Sequence, residues 1–179
     1  MKWEMEKNMN NIDIMEVKNL EQYFLDIDKN TLIDLSDTFN NFLNDSEFII
    51  EFGAGTGEFT KIFANNNRSI LSIEIDNSLK IEFEKNIPFQ NTVFLNIDIK
   101  ELDTPEYIET YVIVSAPPYS LLEYINNTFI KKHNLKYILM VGENYLKYFQ
   151  DYEIIYTLNK NSFTPKSNNK HYIITNIKG

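Results

Sequence analysis

Three glycines alternate directly after an acidic residue in the segment 49-IIEFGAGTGEFT-60. Gly53, Gly55 and Gly57 let the backbone turn tightly and let a ligand approach main-chain amides, and the helix expected after them directs partial positive charge at that ligand. Glu51 lies just before the turn, where its carboxylate would repel a pyrophosphate but attract an ammonium group. The spacing also lacks the third glycine of the dinucleotide fingerprint. These features favour an S-adenosylmethionine site.

Acidic residues also follow the next two predicted strands. Glu74, in 72-SIEID-76, stands about 20 residues after the glycine turn, where a carboxylate can accept hydrogen bonds from a ribose diol. Asp98, in 96-NIDI-99, follows the third strand and can accept a hydrogen bond from an adenine amino group. The alternative is that these acids only cap helices or close turns.

The elements that must position these residues alternate between short apolar runs and amphipathic stretches. The runs are apolar on both faces, as parallel strands covered by helices must be, and they lie at 47–52, 70–75, 92–96, 111–115 and 137–141. Helices are predicted between them at 56–65, 77–86, 120–132 and 143–149. The pattern predicts an α/β, Rossmann-like fold with a doubly wound parallel sheet.

The end of the chain departs from this alternation. The β-rich runs 151–158 and 170–177 have no helix between them, so they are predicted to pair antiparallel. Added to the five parallel strands, this C-terminal pair gives a seven-stranded, mostly parallel sheet.

The start of the chain is predicted to be helical. Helices are expected at 20–26 and 31–43, with Asn30 or Thr31 as the N-cap of the second. We predict a single domain, in which a helical lead-in over 1–45 precedes an α/β domain over 46–179 that holds the S-adenosylmethionine site.

The composition argues against several kinds of site. The chain has no cysteine and two histidines, His133 and His171, which lie far apart in sequence, so we expect neither disulfides nor a bound metal. No apolar run approaches the roughly 20 residues of a membrane helix, and the N-terminal residues are too polar for a signal peptide. We therefore expect a cytoplasmic protein with no membrane partner.

The charge disfavours RNA as a partner. The formal net charge is -9, whereas proteins that bind nucleic acid over a broad surface are normally basic. Arg68 is the only arginine. The charge is unevenly distributed along the chain, because no acidic residue follows Glu153. Four lysines do follow it: Lys160, Lys166, Lys170 and Lys178. We interpret these lysines as a solvated basic edge.

Taken in order, the motifs resemble those of the rRNA adenine N6-dimethyltransferases and the related erythromycin-resistance methylases. The resemblance extends over nearly the whole chain from about Gln22, through QYFL (22–25), EFGAGTGEFT (51–60), IEID (73–76), NIDI (96–99), APPY (116–119) and SFTPKSNNKHYIIT (162–175). The family's counterparts are Q-N-F-L, E-I-G-P-G-x-G-x-L-T, an acidic second strand, G-D-A, N-L-P-Y and S-F-x-P-x-P-x-V-x-S.

The resemblance implies the class I methyltransferase fold, S-adenosylmethionine as the cofactor and an adenine amine of RNA as the methyl acceptor. With the glycine turn and the strand tips, it gives the expected cofactor-binding residues Gln22, Tyr23, Leu25, Glu51, Gly53, Ala54, Gly55, Gly57, Glu74, Ile75, Asp98, Ile99 and Ser115.

Four features depart from the family's pattern. Tyr23 replaces the Asn beside the cofactor, Ala116 replaces the Asn that opens the catalytic motif, and Ser167 replaces the second Pro of the F-x-P-x-P loop. The sequence ends at Gly179, just after the last predicted strand, so we expect the family's helical C-terminal domain, which contributes to RNA recognition, to be absent. A second copy or a partner chain could cover the surface left by that domain, so a homo-oligomer is one expected assembly.

The acceptor side of the predicted site lies in 110-TYVIVSAPPYSLLEY-124. An exocyclic adenine amine is a poor nucleophile, and motifs of the N-P-P-Y type hold it between a side-chain amide oxygen, a backbone carbonyl and a stacked aromatic ring. Here the Pro117 carbonyl and the Tyr119 ring remain, so Pro117, Pro118 and Tyr119 are the expected catalytic residues. Ala116 offers no side-chain acceptor, and the Ser115 hydroxyl should point away in an extended chain.

Losing one hydrogen bond costs about 1 to 3 kcal/mol, so Ala116 should weaken adenine methylation without forbidding it. An alternative is that the prolines only end the strand and Tyr119 packs in the core. Three hypotheses for the whole protein therefore stay open: a methyltransferase acting on an RNA adenine, a methyltransferase acting on a small molecule or a protein, and a non-catalytic S-adenosylmethionine-binding regulator or partner protein.

Overall fold

The computed structural model describes residues 24–44, 48–102 and 111–178. The strands are β1 (Phe24–Leu25), β2 (Phe48–Phe52), β3 (Ser69–Glu74), β4 (Thr92–Asn96), β5 (Tyr111–Ser115), β6 (Lys136–Gly142), β7 (Glu153–Leu158), β8 (Phe163–Thr164) and β9 (His171–Thr175). The α-helices are α1 (Lys29–Asn40), α2 (Thr60–Phe63), α3 (Lys80–Asn86), α4 (Tyr119–Ile125) and α5 (Lys131–His133). A π-helical turn, Asn126–Ile130, joins α4 to α5, and 3-10 turns occur at Asn77–Leu79, Ile99–Glu101 and Glu143–Tyr148.

Seven of the strands form one sheet in the order β4-β3-β2-β5-β6-β9-β7. The first five in that order are parallel, while β9 runs antiparallel to both of its neighbours, β6 and β7. The predicted fold class, a seven-stranded and mostly parallel Rossmann-like sheet with an antiparallel C-terminal pair, is therefore confirmed. Because the chain leaves β2 towards β3 on one side and returns to β5 on the other, a topological switch point lies between β2 and β5.

The central strands β2, β5 and β6 are buried on both faces, as their apolar runs predicted, whereas β4 at the edge of the sheet is only partly buried. Ile49 packs into a cluster with α1 and α2 on one face, whereas its neighbour Ile50 packs with α4 and the π-helical turn on the other. This alternation follows from the two-residue period of a strand. Within the described ranges, no helix combines the length and apolar character that a transmembrane segment requires.

The predicted helix at 20–26 is wrong where the structure describes it. Phe24–Leu25 is a strand that pairs antiparallel with β8, and residues 20–23 lie outside the described part of the chain. The Asp26 amide donates to the Ser162 carbonyl at 2.9 Å, so main-chain pairing to a distant segment outweighs local helical preference. The next helix is capped by Asp28 rather than by Asn30 or Thr31, and the Asp28 carboxylate accepts from both of their amides.

The helix predicted at 56–65 begins only at Thr60. Gly57 has φ of 87°, a left-handed conformation that cannot belong to a right-handed helix. A β-carbon at this position would also lie 2.8 Å from Ile87 Cγ1, so the turn must stay glycine. The remaining helix is only four residues long, and it contributes little dipole to the turn that precedes it. The segment predicted as a helix at 143–149 is a 3-10 turn over Glu143–Tyr148.

The single arginine is a structural residue. Arg68 is 2% exposed, and its guanidinium donates at 3.0 Å to the Phe63 carbonyl, the Leu43 carbonyl and Asn40 Oδ1. It thereby ties the end of α1 and the end of α2 to the start of β3. Arg68 is therefore not a surface cation for phosphate contact.

We expect Arg68→Met to lower the free energy of unfolding by several kcal/mol, because it leaves buried carbonyl oxygens without their donors at about 1 to 3 kcal/mol each. Urea unfolding followed by circular dichroism measures this, with the exposed Lys132→Met as the matched control. A loss no larger than that of the control would contradict the structural role.

Candidate functional site

A cavity of about 310 Å³ lies at the carboxyl ends of the parallel strands. Gly53, Ile75, Asp98 and Ala116, which follow β2, β3, β4 and β5 closely, all line it. The cavity therefore lies at the topological switch point, where open α/β sheets bind their ligands, and its volume is in the range of small-molecule sites.

The glycine turn packs directly against the proline motif. Gly53 has φ of 72°, and the carbonyl of Ile73 accepts hydrogen bonds from the Gly53 and Ala54 amides at 2.8 and 3.1 Å. A β-carbon on Gly53 would lie 3.1 Å from Pro118 Cδ. The absence of a side chain thus lets the turn after β2 meet the turn after β5, and the two predicted halves of the site form one cavity.

Glu74 connects the glycine turn to the end of β3. Its Oε2 accepts from the Gly55 amide and its Oε1 from the Asp76 amide, both at 2.9 Å, and the side chain also lines the cavity. A carboxylate has about four acceptor positions, so each oxygen can accept a further hydrogen bond from a ligand. This arrangement suits a diol.

Asp98 lies on the same wall of the cavity. Its Oδ1 accepts from the Lys100 amide at 2.9 Å, so the carboxylate caps the following 3-10 turn as well as lining the cavity. Beside it lie the apolar side chains of Ile75, Ile97 and Ile99, of which Ile75 is 57% exposed. An apolar side chain exposed at a cavity gives a flat, dry surface for a planar ring.

Glu51 does not line the cavity. Its carboxylate is completely buried and accepts hydrogen bonds from Thr60 Oγ1 at 2.8 Å and Ser72 Oγ at 2.7 Å. Burial raises the pKa of Glu51 to about 8, against the opposing effect of these two hydroxyl donors. The structure does not support the predicted direct contact with an ammonium group; Glu51 instead anchors α2 and β3 beneath the glycine turn.

Two other predicted cofactor residues also lie outside the cavity lining. Ser115 is buried, and its hydroxyl donates to the Phe52 carbonyl at 2.5 Å, which joins β5 to β2. Gly57 packs against Ile87 and Phe83. Gln22 and Tyr23 lie outside the described residues. The others line the cavity: Leu25, Gly53, Ala54, Gly55, Glu74, Ile75, Asp98 and Ile99.

The predicted acceptor residues line the cavity at the end of β5, on the other side of the switch point from β3 and β4. Ala116, Pro117, Pro118 and Tyr119 all contribute to it. The Pro118 carbonyl accepts from the Leu121 amide at 2.9 Å, so the motif also begins α4. The Tyr119 ring stacks on Tyr145 with centroids 4.6 Å apart and remains half-buried at the cavity. The motif therefore ends a strand, starts a helix and presents an aromatic ring at once.

Sequence reasoning missed His171, which lines the cavity from the start of β9. The side chain is 1% exposed and its Nε2 is hydrogen-bonded to Tyr119 Oη, and the Phe163 ring packs on it at 4.2 Å between centroids. A signal was available, since His171 is the tenth residue counted from Ser162, the position at which the ten-residue motif S-F-x-P-x-P-x-V-x-S has serine. Among the described residues, no cluster of acidic or histidine side chains is arranged to hold a metal ion.

Comparisons with known proteins show which family the chain resembles. Residues 16–153 match the family model of ribosomal RNA adenine dimethylase. The ribosomal RNA small subunit methyltransferase A of Mycoplasmopsis synoviae is 29% identical over 88% of this chain and 68% of its own length. The namesake from Wigglesworthia glossinidia brevipalpis is 29% identical over 87% of this chain, which spans only 56% of that relative.

A solved structure gives the same fold. The 23S rRNA methyltransferase ErmE superposes with a TM-score of 0.68 at 20% identity, over 87% of this chain and 72% of that one. At this identity the likeness bears on the class I methyltransferase fold alone.

The buried carboxyl group predicts how stability depends on pH. Because the pKa of Glu51 is raised from 4.5 to about 8, the folded chain favours the neutral acid, and stability is lost as the pH rises through this interval, by up to about 1.4 kcal/mol per pH unit. Glu51→Gln keeps the shape of the side chain without titrating. Its free energy of unfolding should therefore rise relative to that of the wild type between pH 5 and pH 8. Urea unfolding at several pH values measures this, with the exposed Glu82→Gln as control. Parallel curves for wild type and Glu51→Gln would contradict the assignment.

Proposed function

The chain belongs to the ribosomal RNA adenine dimethylase family, and from this premise we propose that it is an S-adenosylmethionine-dependent methyltransferase acting on an adenine amine of RNA. The observation that carries the proposal is the single cavity that the glycine turn and the Ala116–Tyr119 segment share. A cofactor held on one wall then faces a methyl acceptor on the other, which is the placement that group transfer requires.

The cavity residues at the ends of β2, β3 and β4 fit S-adenosylmethionine. Glu74 would accept hydrogen bonds from the ribose diol, Asp98 would accept from the adenine amino group, and Ile75 and Ile99 would contact the faces of the ring. The Gly53–Gly55 turn, which carries no side chain at either glycine, would let the methionine end approach the backbone closely. When bound, this cofactor supplies an electrophilic methyl group.

The cavity residues that follow β5 would orient the methyl acceptor. The Pro117 carbonyl would accept one N–H of the amine, and the Tyr119 ring would contact the face of the base. Position 116 presents only a methyl group, so the amine lacks a second, side-chain acceptor from this position. This feature favours a second candidate, an S-adenosylmethionine-binding protein that transfers no methyl group.

The charge distribution restricts how RNA would approach. The chain is acidic overall, and its single arginine is buried. Lys170 directly precedes the cavity residue His171. The four lysines that follow Glu153 are all exposed: Lys160, Lys166, Lys170 and Lys178. We infer that RNA contact, if the acceptor is RNA, is local and confined to this basic edge. A cytoplasmic location and a homo-oligomer remain predictions.

Two experiments test the proposed function. Calorimetric titration with S-adenosylmethionine and with its demethylated product should show binding, and no heat at high micromolar ligand would overturn the proposal. Labelled methyl transfer should then be offered separately to RNA, protein and small-molecule fractions of a cell extract. Label in RNA supports the adenine acceptor, label elsewhere supports another acceptor, and binding without any transfer supports the non-catalytic candidate.

We expect Gly55→Val to abolish cofactor binding, because Gly55 lines the cavity with φ of 56° and a branched side chain would be strained there and would occupy ligand space. Calorimetry measures the loss. A thermal unfolding scan separates it from misfolding, and an exposed Ser78→Val variant is the control for introducing valine. Full affinity in a folded Gly55→Val protein would mean that the turn does not approach the ligand.

We expect Ala116→Asn to raise the rate of transfer to RNA by about tenfold or more, since an added side-chain acceptor contributes on the order of 1 to 3 kcal/mol. The affinity for S-adenosylmethionine should change little. Ala116→Leu is the matched control, because it adds similar bulk without an acceptor. An equal or lower rate in the Asn variant would count against an adenine amine as the acceptor.

A further inference from the structure

His171 lies where two strands bring it to the acceptor wall. It is the first residue of β9 and the cross-strand partner of Gly142, the last residue of β6. Because β9 runs antiparallel to β6, its start lies at the same edge of the sheet as the ends of the parallel strands. The imidazole is therefore fixed by the sheet rather than by a loop, and it lines the cavity together with Ala116 and Tyr119.

The hydrogen bond between His171 and Tyr119 involves a neutral imidazole. Burial lowers the pKa of His171 to about 4, with a smaller opposing effect from the Asn169 backbone, so the imidazole is neutral around pH 7. A neutral imidazole has one acceptor nitrogen, and Nε2 is the atom that Tyr119 Oη contacts. Because a phenol hydroxyl can both donate and accept, this contact is a hydrogen bond in either neutral tautomer of the imidazole.

Two further contacts leave the Tyr119 ring little freedom. One is the stack on Tyr145, with an angle of 21° between the rings. The other is the backbone of Gly142, where a β-carbon would lie 3.3 Å from Tyr119 Cζ and Oη. Gly142 has φ of -74°, so it is needed there for space and not for its conformation. Gly142 and His171, which are cross-strand partners in β6 and β9, thus both contact the phenol end of Tyr119.

We propose that His171 is a positioning residue of the acceptor site, which holds the Tyr119 ring in register with Pro117 and Pro118 through its hydrogen bond to Tyr119 Oη. The inference rests on the proposed function for its catalytic consequence. In this chain, position 116 contributes no side-chain hydrogen-bond acceptor. The methyl acceptor therefore depends more heavily on the Pro117 carbonyl and the Tyr119 ring. A ring that could swing away from Gly142 would leave a planar acceptor poorly oriented.

The hydrogen bond can be tested without any acceptor. Because the chain has two histidines, His133 and His171, long-range proton–nitrogen correlation spectra of the nitrogen-labelled protein should show two imidazoles. We expect one of them, assigned by its absence from His171→Phe, to be a neutral imidazole at pH 7. Tyr119→Phe should shift its Nε2 signal and leave His133, which is exposed, unchanged. An Nε2 signal of His171 that does not respond to Tyr119→Phe would overturn the proposal.

Kinetics test the positioning role. In the fraction that accepts label from the wild type, Tyr119→Phe and His171→Phe should each lower kcat/KM for the acceptor by about tenfold, the effect of one hydrogen bond. The double variant should be no worse than either single one, since both remove the same bond. His171→Gln, whose amide oxygen can accept from Tyr119, should recover part of the loss, and His133→Phe is the matched control.

Cofactor affinity separates this role from a general structural one. Calorimetry should show S-adenosylmethionine affinities within about twofold of the wild type for Tyr119→Phe, His171→Phe, the double variant and His171→Gln. The reason is that the acceptor residues lie on the other side of the switch point from the cofactor residues. Additive kinetic losses, or a loss of cofactor affinity equal to the loss of kcat/KM, would overturn the positioning role. A wild type that transfers no methyl group would overturn the proposed function, while the nitrogen spectra would still decide whether His171 holds Tyr119.

Discussion

The close contact between Gly53 and Pro118 is the constraint on which the site depends. It joins the turn after β2 to the turn after β5, and it exists only because Gly53 has no β-carbon, which would lie 3.1 Å from the proline ring. The left-handed φ of 72° and the two amides that share the Ile73 carbonyl set the direction of the turn. The switch point of the sheet brings the two turns near each other, and this contact brings them close enough to bound one cavity.

Polar groups around that contact fall into two sets with different physical roles. Glu74 and Asp98 line the cavity and still have acceptor positions for a ligand, although each already holds a turn in place. Glu51 and Ser115 are completely buried, and their hydrogen bonds join strands and helices below the cavity floor. Both sets lie within a few residues of the same motifs, so proximity in sequence does not separate a ligand contact from a scaffold contact.

The sequence predicted those parts of the structure that follow from local chemistry. Alternating glycines, an acid at the tip of β3 and the proline–tyrosine segment each have a short-range physical reason, and all of these residues except Gly57 line one cavity. The errors came from interactions between distant segments. Phe24–Leu25 is extended because β8 pairs with it, Glu51 is turned inward by Thr60 and Ser72, and His171 reaches Tyr119 only because β9 inserts beside β6. The helix at 56–65 was overextended for a local reason, since Gly57 is left-handed where the amphipathic pattern predicted a helical residue.

The position of β9 in the sheet has a consequence for biosynthesis. β7 is made earlier on the ribosome, yet in the described structure it joins the sheet through β9, which comes last in chain order. Until residues 171–175 emerge, β6 lacks its β9 partner and Tyr119 lacks its contact with His171, while the glycine turn, Glu74 and Asp98 have already been synthesised. A nascent chain of this kind has synthesised the residues of the cofactor side before those of the acceptor side are complete, and the edge of β6 that β9 covers is then open to pairing with chaperones or other chains.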